Sequence, residues 1–327
     1  MGATLKKTLE QKFDYDTSDV PVYTDEQSAE YITDLIQSSD FLNRLMLETD
    51  VKGSKTIKLL SGDMSLQAKV GCTPNPDGTI SFPNRDIAST LLYMGIELCN
   101  EDLNGKYTQL LNKAGVANQN DEIVLSEILL AYLGRIVRKK IQNITFLGDT
   151  GSVNPDLVHF DGFVKLIEND GDVIVAYSDE TEWTIDNGYA IAKTVYDAIP
   201  QVVFDDGLDY VLLTGRQEAR AILDNVWKDK DFSARVEFTE TDDGGIMFTL
   251  PTTNITVMTV PELNGTGNMY GWPFDYAFAA TDLESDIDLA QKYQEYTDQL
   301  KVETSFRWGV QFIQPQYWVR LRLTPTS

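Results

Sequence analysis

The stretch DEIVLSEILLAYLGRIVRKKIQNITFLGDTGSVNPDLVHFDGFV, residues 121 to 164, decides how this chain is read. Leu125, Leu129, Tyr132, Leu133, Ile136, Val137, Ile141 and Ile144 recur at steps of three and four, which places them along one face of a helix. The other face is polar. Asp121 and Glu122 stand where the helix would open, and Arg138, Lys139 and Lys140 lie towards its end, each near the dipole pole of opposite sign. Gly148 reads as the stop. A helix from about 121 to 147 would be roughly 40 Å long, more than twice the usual length. Such a rod needs a partner along it, a need that the core of an ordinary α/β domain would also meet.

Upstream, residues 1 to 25 are polar, include Pro21 and show no apolar period, so they read as an extended arm. From 26 to 48, Tyr31, Ile32, Leu35, Ile36, Phe41, Leu42, Leu45 and Met46 supply helical steps, with a break expected near Ser38 and Ser39. From Val51 the period changes to two. TIKLL (56 to 60), LQAKV (66 to 70), TISF (79 to 82) and STLLYMGIEL (89 to 98) read as strands, and GCTPNPDG as the turn at the tip of a long hairpin. A two-stranded hairpin with few bulky residues is marginal in water and must pack on something else.

Downstream, NGYAIAKTVYDAIPQ (187 to 201) and RQEARAILDNVWKD (216 to 229) read as helices flanking the strand DYVLLTG (209 to 215). Further strands fit SARVEF, IMFTLP, NITVMTV and FDYAFAAT, between 233 and 281. Near the end, Phe306, Trp308, Val310, Phe312 and then Tyr317, Val319, Leu321, Leu323 alternate as long strands. Because those strands need a partner from earlier in the chain, the unit holding the long helix is expected to be discontinuous, with 185 to 285 inserted. The fold class is α+β.

Composition excludes several functions. A chain of 327 residues with 42% hydrophobic content can bury a large core. No run of about 18 apolar residues is present, so no membrane span is indicated. Two cysteines, Cys72 and Cys99, lack metal-ligand spacing and read as free thiols of a reducing compartment. With 51 acidic against 27 basic residues, a net charge of -24 opposes sequence-reading contact with nucleic acid. Arg135, Arg138, Lys139 and Lys140 form a local basic cluster, either a solvated helix face or a contact for acidic neighbours or packaged DNA.

Catalytic motifs are missing. His159 is the only histidine, is not accompanied by a G-x-S-x-G elbow, and reads as a surface loop residue. TGRQEAR and LGDTGSV lack the spacing of phosphate loops. ENDGDV and ETDDGGI fail the EF-hand pattern, since alignment on Gly171 or Gly244 puts Leu166 or Thr239 at the first ligand position. Trp183, Trp227, Trp272, Trp308 and Trp318 are scattered and read as core or interface anchors. No catalytic residue, cofactor site or metal site is assigned.

The order of arm, helix, long hairpin, rod-like helix, Gly/Asp loop, inserted α/β unit and closing strands resembles the HK97-fold major capsid proteins of tailed bacteriophages. VPELNGTGNMYGWPFDYAFAATDLESDIDLA (260 to 290) is similar to that family's variable loop, strand and return to the peripheral domain, and RWGVQFIQPQYWVRLR to its closing strands. The resemblance implies an N-terminal arm and helix at 1–50, an extended loop at 51–98, a peripheral domain at 99–184 and 286–327, and an axial domain at 185–285. It implies a non-enzymatic protein that self-assembles into the hexamers and pentamers of an icosahedral virion shell around double-stranded DNA, built in the host cytoplasm. Its partners would be other copies, a portal, possible scaffolding or decoration proteins, and DNA without sequence-specific binding. Inter-subunit contacts are expected from the loop tip, Thr73, Pro74, Asn75, Pro76, Asp77 and Gly78, and from Arg135, Arg138, Lys139 and Lys140. Two other readings stand beside it: an encapsulin-like compartment shell, and a cytoplasmic acidic enzyme or binding module.

Charge makes a kinetic prediction for a shell-forming chain. Subunits of charge -24 repel on approach, and the Debye length falls from about 30 Å at 0.01 M salt to about 8 Å at 0.15 M. Assembly followed by stopped-flow light scattering should accelerate across that range. A steady slowing would mean that specific ion pairs control the step.

Overall fold

A computed structural model of the chain describes residues 39–58, 61–64, 78–81, 84–99, 124–228, 238–240, 245–282, 290–294 and 299–324. The Ser39 hydroxyl accepts from the Leu42 N–H at 3.4 Å and caps helix α1 (Asp40–Arg44), so the chain does break where Ser38 and Ser39 suggested. The helix expected to run on to 48 ends early. Leu45 is extended and Met46–Glu48 forms strand β1, because pairing with a sheet satisfies its backbone better than one more unsupported helical turn. The rest of the expected 26 to 48 helix lies outside the described residues.

Next come β2 (Ser54–Lys58), β3 (Ser61–Met64), β4 (Gly78–Ser81) and β5 (Asn84–Ala88), in which β2 pairs with β5 and β3 with β4, nested and antiparallel. A hairpin is expected here, and β2 and β4 overlap TIKLL and TISF, but β3 (SGDM) and β5 (NRDIA) fall on segments not read as strands, and LQAKV lies outside the described residues. In β2 and β5 the only buried side chains are Ile57 and Ile87, which join a small cluster with Val51, Phe278 and Ile313. β6 (Thr90–Cys99) follows, and then the long helix α2 (Val124–Leu147), whose 24 residues span about 36 Å.

The remainder runs α3 (Phe163–Asn169), β7 (Ile174–Ser178), α4 (Gly188–Asp197), α5 (Gln201–Asp205), β8 (Tyr210–Thr214), α6 (Arg216–Lys228) and β9 (Phe238–Glu240). It continues with β10 (Ile246–Thr249), β11 (Thr256–Thr259), β12 (Met269–Pro273), β13 (Ala277–Thr281), β14 (Ala290–Gln294), β15 (Gln299–Phe312) and β16 (Val319–Leu323). One sheet has the order β1-β13-β15-β14, with β6 also on β15 in a register from Thr90↔Trp308 to Cys99↔Gln299. A close approach of the chain to the interior strand β15 requires Gly309, where a Cβ would lie 1.9 Å from the Ala88 carbonyl oxygen.

The second sheet has the order β7-β16-β12-β8-β11-β10-β9. Its strands come from 174 to 178 and 319 to 323 as well as from within 185 to 285, so the inserted segment does not fold as a sheet of its own. Strand β16, expected with the long helix, instead sits between β7 and β12. FDYAFAAT also divides: Phe274–Tyr276 is a 3-10 turn and only β13 is strand, in the first sheet.

Alternation along the second sheet sorts its side chains into two cores. Val211, Leu213, Met258, Tyr270 and Trp272 face the core that holds Phe41, Ile141, Phe146 and Phe163. Leu212, Val257, Met269, Val319 and Leu321 face the other, packed by Ile191, Val195 and Ile222 of α4 and α6. Covered on both faces, β8 and β12 are buried at every position, which is why YVLLT and MYGWP read as continuous rather than alternating runs.

Helix α2 packs by Val137, Ile141 and Ile144, three of the predicted stripe, and by Phe146, while Ile136 is exposed. Its buried end is tied to β15 through the Trp308 indole N–H, which donates to Thr145 Oγ1 at 2.9 Å. Thr145→Val keeps the shape and leaves that buried donor unpaired. It should destabilise the fold by about 1–3 kcal/mol, lowering the urea midpoint with an unchanged denaturant slope.

Candidate assembly surfaces

Where the long helix ends, Gly148 and Gly162 bring the two sides of the following loop together. The Gly148 N–H donates to Ile144 O at 2.9 Å, the Gly162 N–H donates to Gly148 O at 2.8 Å, and a Cβ on Gly148 would lie 2.5 Å from Phe160 O. Only glycine permits that approach. Between them, Lys165 of α3 reaches back into the loop, donating to Asp149 Oδ1 at 2.6 Å and Asp161 Oδ1 at 2.7 Å. The N–H groups of Gly151 and Thr150 donate to the same two carboxylates, each at 2.8 Å.

The basic cluster divides in two ways. Arg135 and Lys139 are exposed and Arg138 is half-buried, whereas Lys140 is ion-paired to Asp156 of the loop and so serves the subunit's own fold. None of the four lies in the last turn, because α2 continues to Leu147. Their expected role at the helix dipole is therefore slight, since that effect is confined to the terminal turn. Asp121 and Glu122 lie outside the described residues.

Of the predicted loop tip, Gly78 opens β4 opposite Met64, and Thr73, Pro74, Asn75, Pro76 and Asp77 lie outside the described residues. At the base of the hairpin, Arg85 forms an ion pair with Asp170 and stacks on the Phe312 ring with its guanidinium carbon 4.6 Å from the centroid. That couples the hairpin to α3 and β15. ENDGDV is a turn in which the Asp172 N–H donates to Asp170 Oδ1 at 3.0 Å; in ETDDGGI, 241–244 lie outside the described residues. His159 is exposed in its loop. Among the described residues no helix is long and apolar enough to cross a membrane.

Large apolar side chains remain at the surface among the described residues. Leu91 and Tyr93 lie on the solvent face of β6, 51% and 61% exposed, and Trp227 at the end of α6 is 66% exposed beside Ile185. The Asn225 amide donates to Ile185 O at 2.9 Å, fixing that pair of segments together. Of the five tryptophans, Trp272, Trp308 and Trp318 are buried, and Trp183 is half-buried with its indole N–H on Gly267 O at 2.9 Å. Trp227 stands at i+4 from Leu223 and i+8 from Ala219, positions that helical spacing alone would assign to the apolar stripe, yet it is exposed at the helix end.

No protein-family model matches the sequence, and no curated protein does. Solved structures match its fold. A chain of the procapsid of satellite phage P4, a structure that includes the size determination (Sid) protein, is 12% identical, with TM-score 0.58 over 90% of this chain and 99% of that one. A chain of the capsid of an empty GTA particle is 12% identical, with TM-score 0.53 over 88% of this chain and 90% of that one. The capsid of Myoviridae phage XM1 gives 13% identity and TM-score 0.51 over 88% and 91%. The chain has the fold of phage capsid proteins, the HK97-like fold that the order of its elements implied.

The loop network predicts a pH window. Hydrogen bonds from Lys165 and from Gly151 hold Asp149 below the usual 3.8. Burial raises Asp161, but bonds from Lys165 and Thr150 outweigh it and leave that carboxyl lowered too. Hydrogen bonds to Asp149 and Asp161 raise Lys165 above 10.5. The carboxylates' contribution is complete above 3.8 and lost as pH falls through their lowered folded values; that of Lys165 is complete below 10.5 and lost as pH rises through its raised value. Lys165→Met should move the carboxyl titrations of Asp149 and Asp161 upward in carbon-13 NMR. Unchanged midpoints would remove Lys165 as their cause.

Proposed function

We propose that this chain is the major capsid protein of a bacteriophage, self-assembling into hexamers and pentamers of an icosahedral shell that encloses double-stranded DNA. The observation that carries the proposal is the likeness of fold to phage capsid chains along nearly the whole length of both partners. Exposed Leu91, Tyr93 and Trp227 support it, since bulky apolar side chains on a subunit are what an interface covers. A closed shell needs heterologous contacts that repeat around five-fold and six-fold axes.

In this proposal residues 1–50 are the arm and its helix, 51–98 the extended loop, 99–184 and 286–327 the peripheral part and 185–285 the axial part, with β7 and β16 lent to the axial sheet. The loop tip from Thr73 to Gly78 and the exposed Arg135 and Lys139 contact neighbouring copies. Portal and any scaffolding or decoration proteins complete the particle. DNA is retained by enclosure and not by base recognition, in keeping with the charge of -24. The role is structural, and the location is the virion, after assembly in the host cytoplasm.

Negative-stain electron microscopy and light scattering of the expressed full chain test this directly. Rings or closed shells are expected from the wild type. A variant in which a short turn replaces residues 61–81, sparing Arg85, should keep its circular dichroism spectrum and lose assembly. A wild type that stays monomeric at micromolar concentration in every salt would overturn the proposal.

A further inference from the structure

A polar groove of about 550 Å³ lies between the end of α3 and the β12–β16 pair, lined by Glu168, Asn268, Tyr270, Arg320 and Arg322 among others. Arg320 and Arg322 are two apart on β16 and so stand on the same face of the sheet. Their circumstances are unusual for this chain. The groove holds two guanidinium groups against one carboxylate in a protein of charge -24, and that carboxylate is already engaged. The buried Tyr270 hydroxyl donates to the Glu168 side chain, while Arg320 donates to the Glu168 main-chain oxygen at 2.7 Å. Arg320 Nε is buried with no acceptor, and Arg322 is exposed with no ion pair among the described residues. An unused buried donor costs free energy that an incoming acceptor would recover, and arginine suits carboxylates in particular.

We infer that this groove is a docking site for a carboxylate-rich peptide segment, and that its occupant is the chain's own acidic stretch, residues 14–34. Residues 13–38 contain seven Asp and Glu and no Lys or Arg, so their charge is complementary to the groove and opposed to most of the remaining surface. The stretch leads into α1, which packs on the strand that lines the groove. Phe41 packs edge-on against Trp272 at 5.4 Å, and Trp272 is two residues along β12 from Tyr270. Docking there would neutralise part of the acidic arm in the subunit. This inference does not depend on shell formation and can fail or hold without it.

Photocrosslinking of the full-length chain tests it. With p-benzoylphenylalanine in place of Tyr23, irradiation at low salt followed by peptide mapping should join position 23 to peptides containing Thr266 to Asn268 or Arg320 to Leu323. The yield should fall about fivefold in Arg322→Glu, and likewise in a chain carrying Asp25→Asn, Glu26→Gln, Glu30→Gln and Asp34→Asn together. High salt should reduce it as well. If Arg322→Glu does not fold, Arg322→Gln removes the charge without reversing it and should lower the yield in the same direction. Crosslinks that map elsewhere, or a yield unchanged by the arginine and carboxylate substitutions in folded protein, would overturn the inference.

Discussion

Trp272 is the point on which the packing of the described fold converges. Its ring meets Trp318 at 4.6 Å and Phe163 at 4.7 Å, both edge-on, with Phe41 at 5.4 Å, Phe146 at 5.8 Å and Phe274 at 6.4 Å. These rings come from the capped helix α1, the end of the long helix, the helix after its loop, the turn after β12 and the C-terminal segment. Each edge-to-face pair adds about 0.5–1.5 kcal/mol beyond the area it buries. The indole N–H of Trp272 has no acceptor, a cost of about 1–3 kcal/mol that this density of aromatic contact must exceed.

Because Trp272 lies on β12, the cluster also fixes how the second sheet divides its side chains. Tyr270 and Trp272 point to the core shared with the long helix, and Met269 points to the core shared with α4 and α6. The sheet is a common wall and not the floor of a separate domain. That is why the chain must cross it repeatedly, and why β16 has to return between β7 and β12 before the fold is complete. Partners separated by more than a hundred residues bring a high loop-closure entropy cost and slow folding, offset here by burial on both faces.

Charge works at two levels. Several cations serve the subunit itself: Lys165 and Lys140 order the loop after α2, Arg85 joins the hairpin to α3, and Arg44 bonds to both oxygens of Asp209, at 2.7 and 2.9 Å, while lying over the Phe274 ring. The most exposed of these, Lys140–Asp156, belongs to a class of pair that contributes only about 0–1 kcal/mol to stability, whereas Arg85–Asp170 is partly buried; all of them fix geometry. Pairing each of these cations with a carboxylate leaves the net charge of -24 unchanged, and Leu91, Tyr93 and Trp227 remain the large apolar side chains most exposed on β6 and α6.

The sequence by itself determined the long helix, the presence of a hairpin though not its nested pairing, the α/β alternation and the strands at the end, because burial on one face leaves a period of 3.6 or 2 in the residues. It also determined the acidic character of the chain and its lack of familiar catalytic motifs. Periodicity reports only that a face is buried, and not by what. Tertiary structure decided that Met46–Glu48 pairs with a sheet instead of extending a helix, that Ile136 stays outside the stripe that packs, and that β16 joins the sheet of the inserted segment. It decided that Lys140 turns to Asp156 and that Arg320 and Arg322 meet Glu168 and Tyr270 around one groove. Those outcomes depend on register and on partners far away in the chain, where a shift of one residue exchanges the two faces of a strand and no local pattern records which exchange was made.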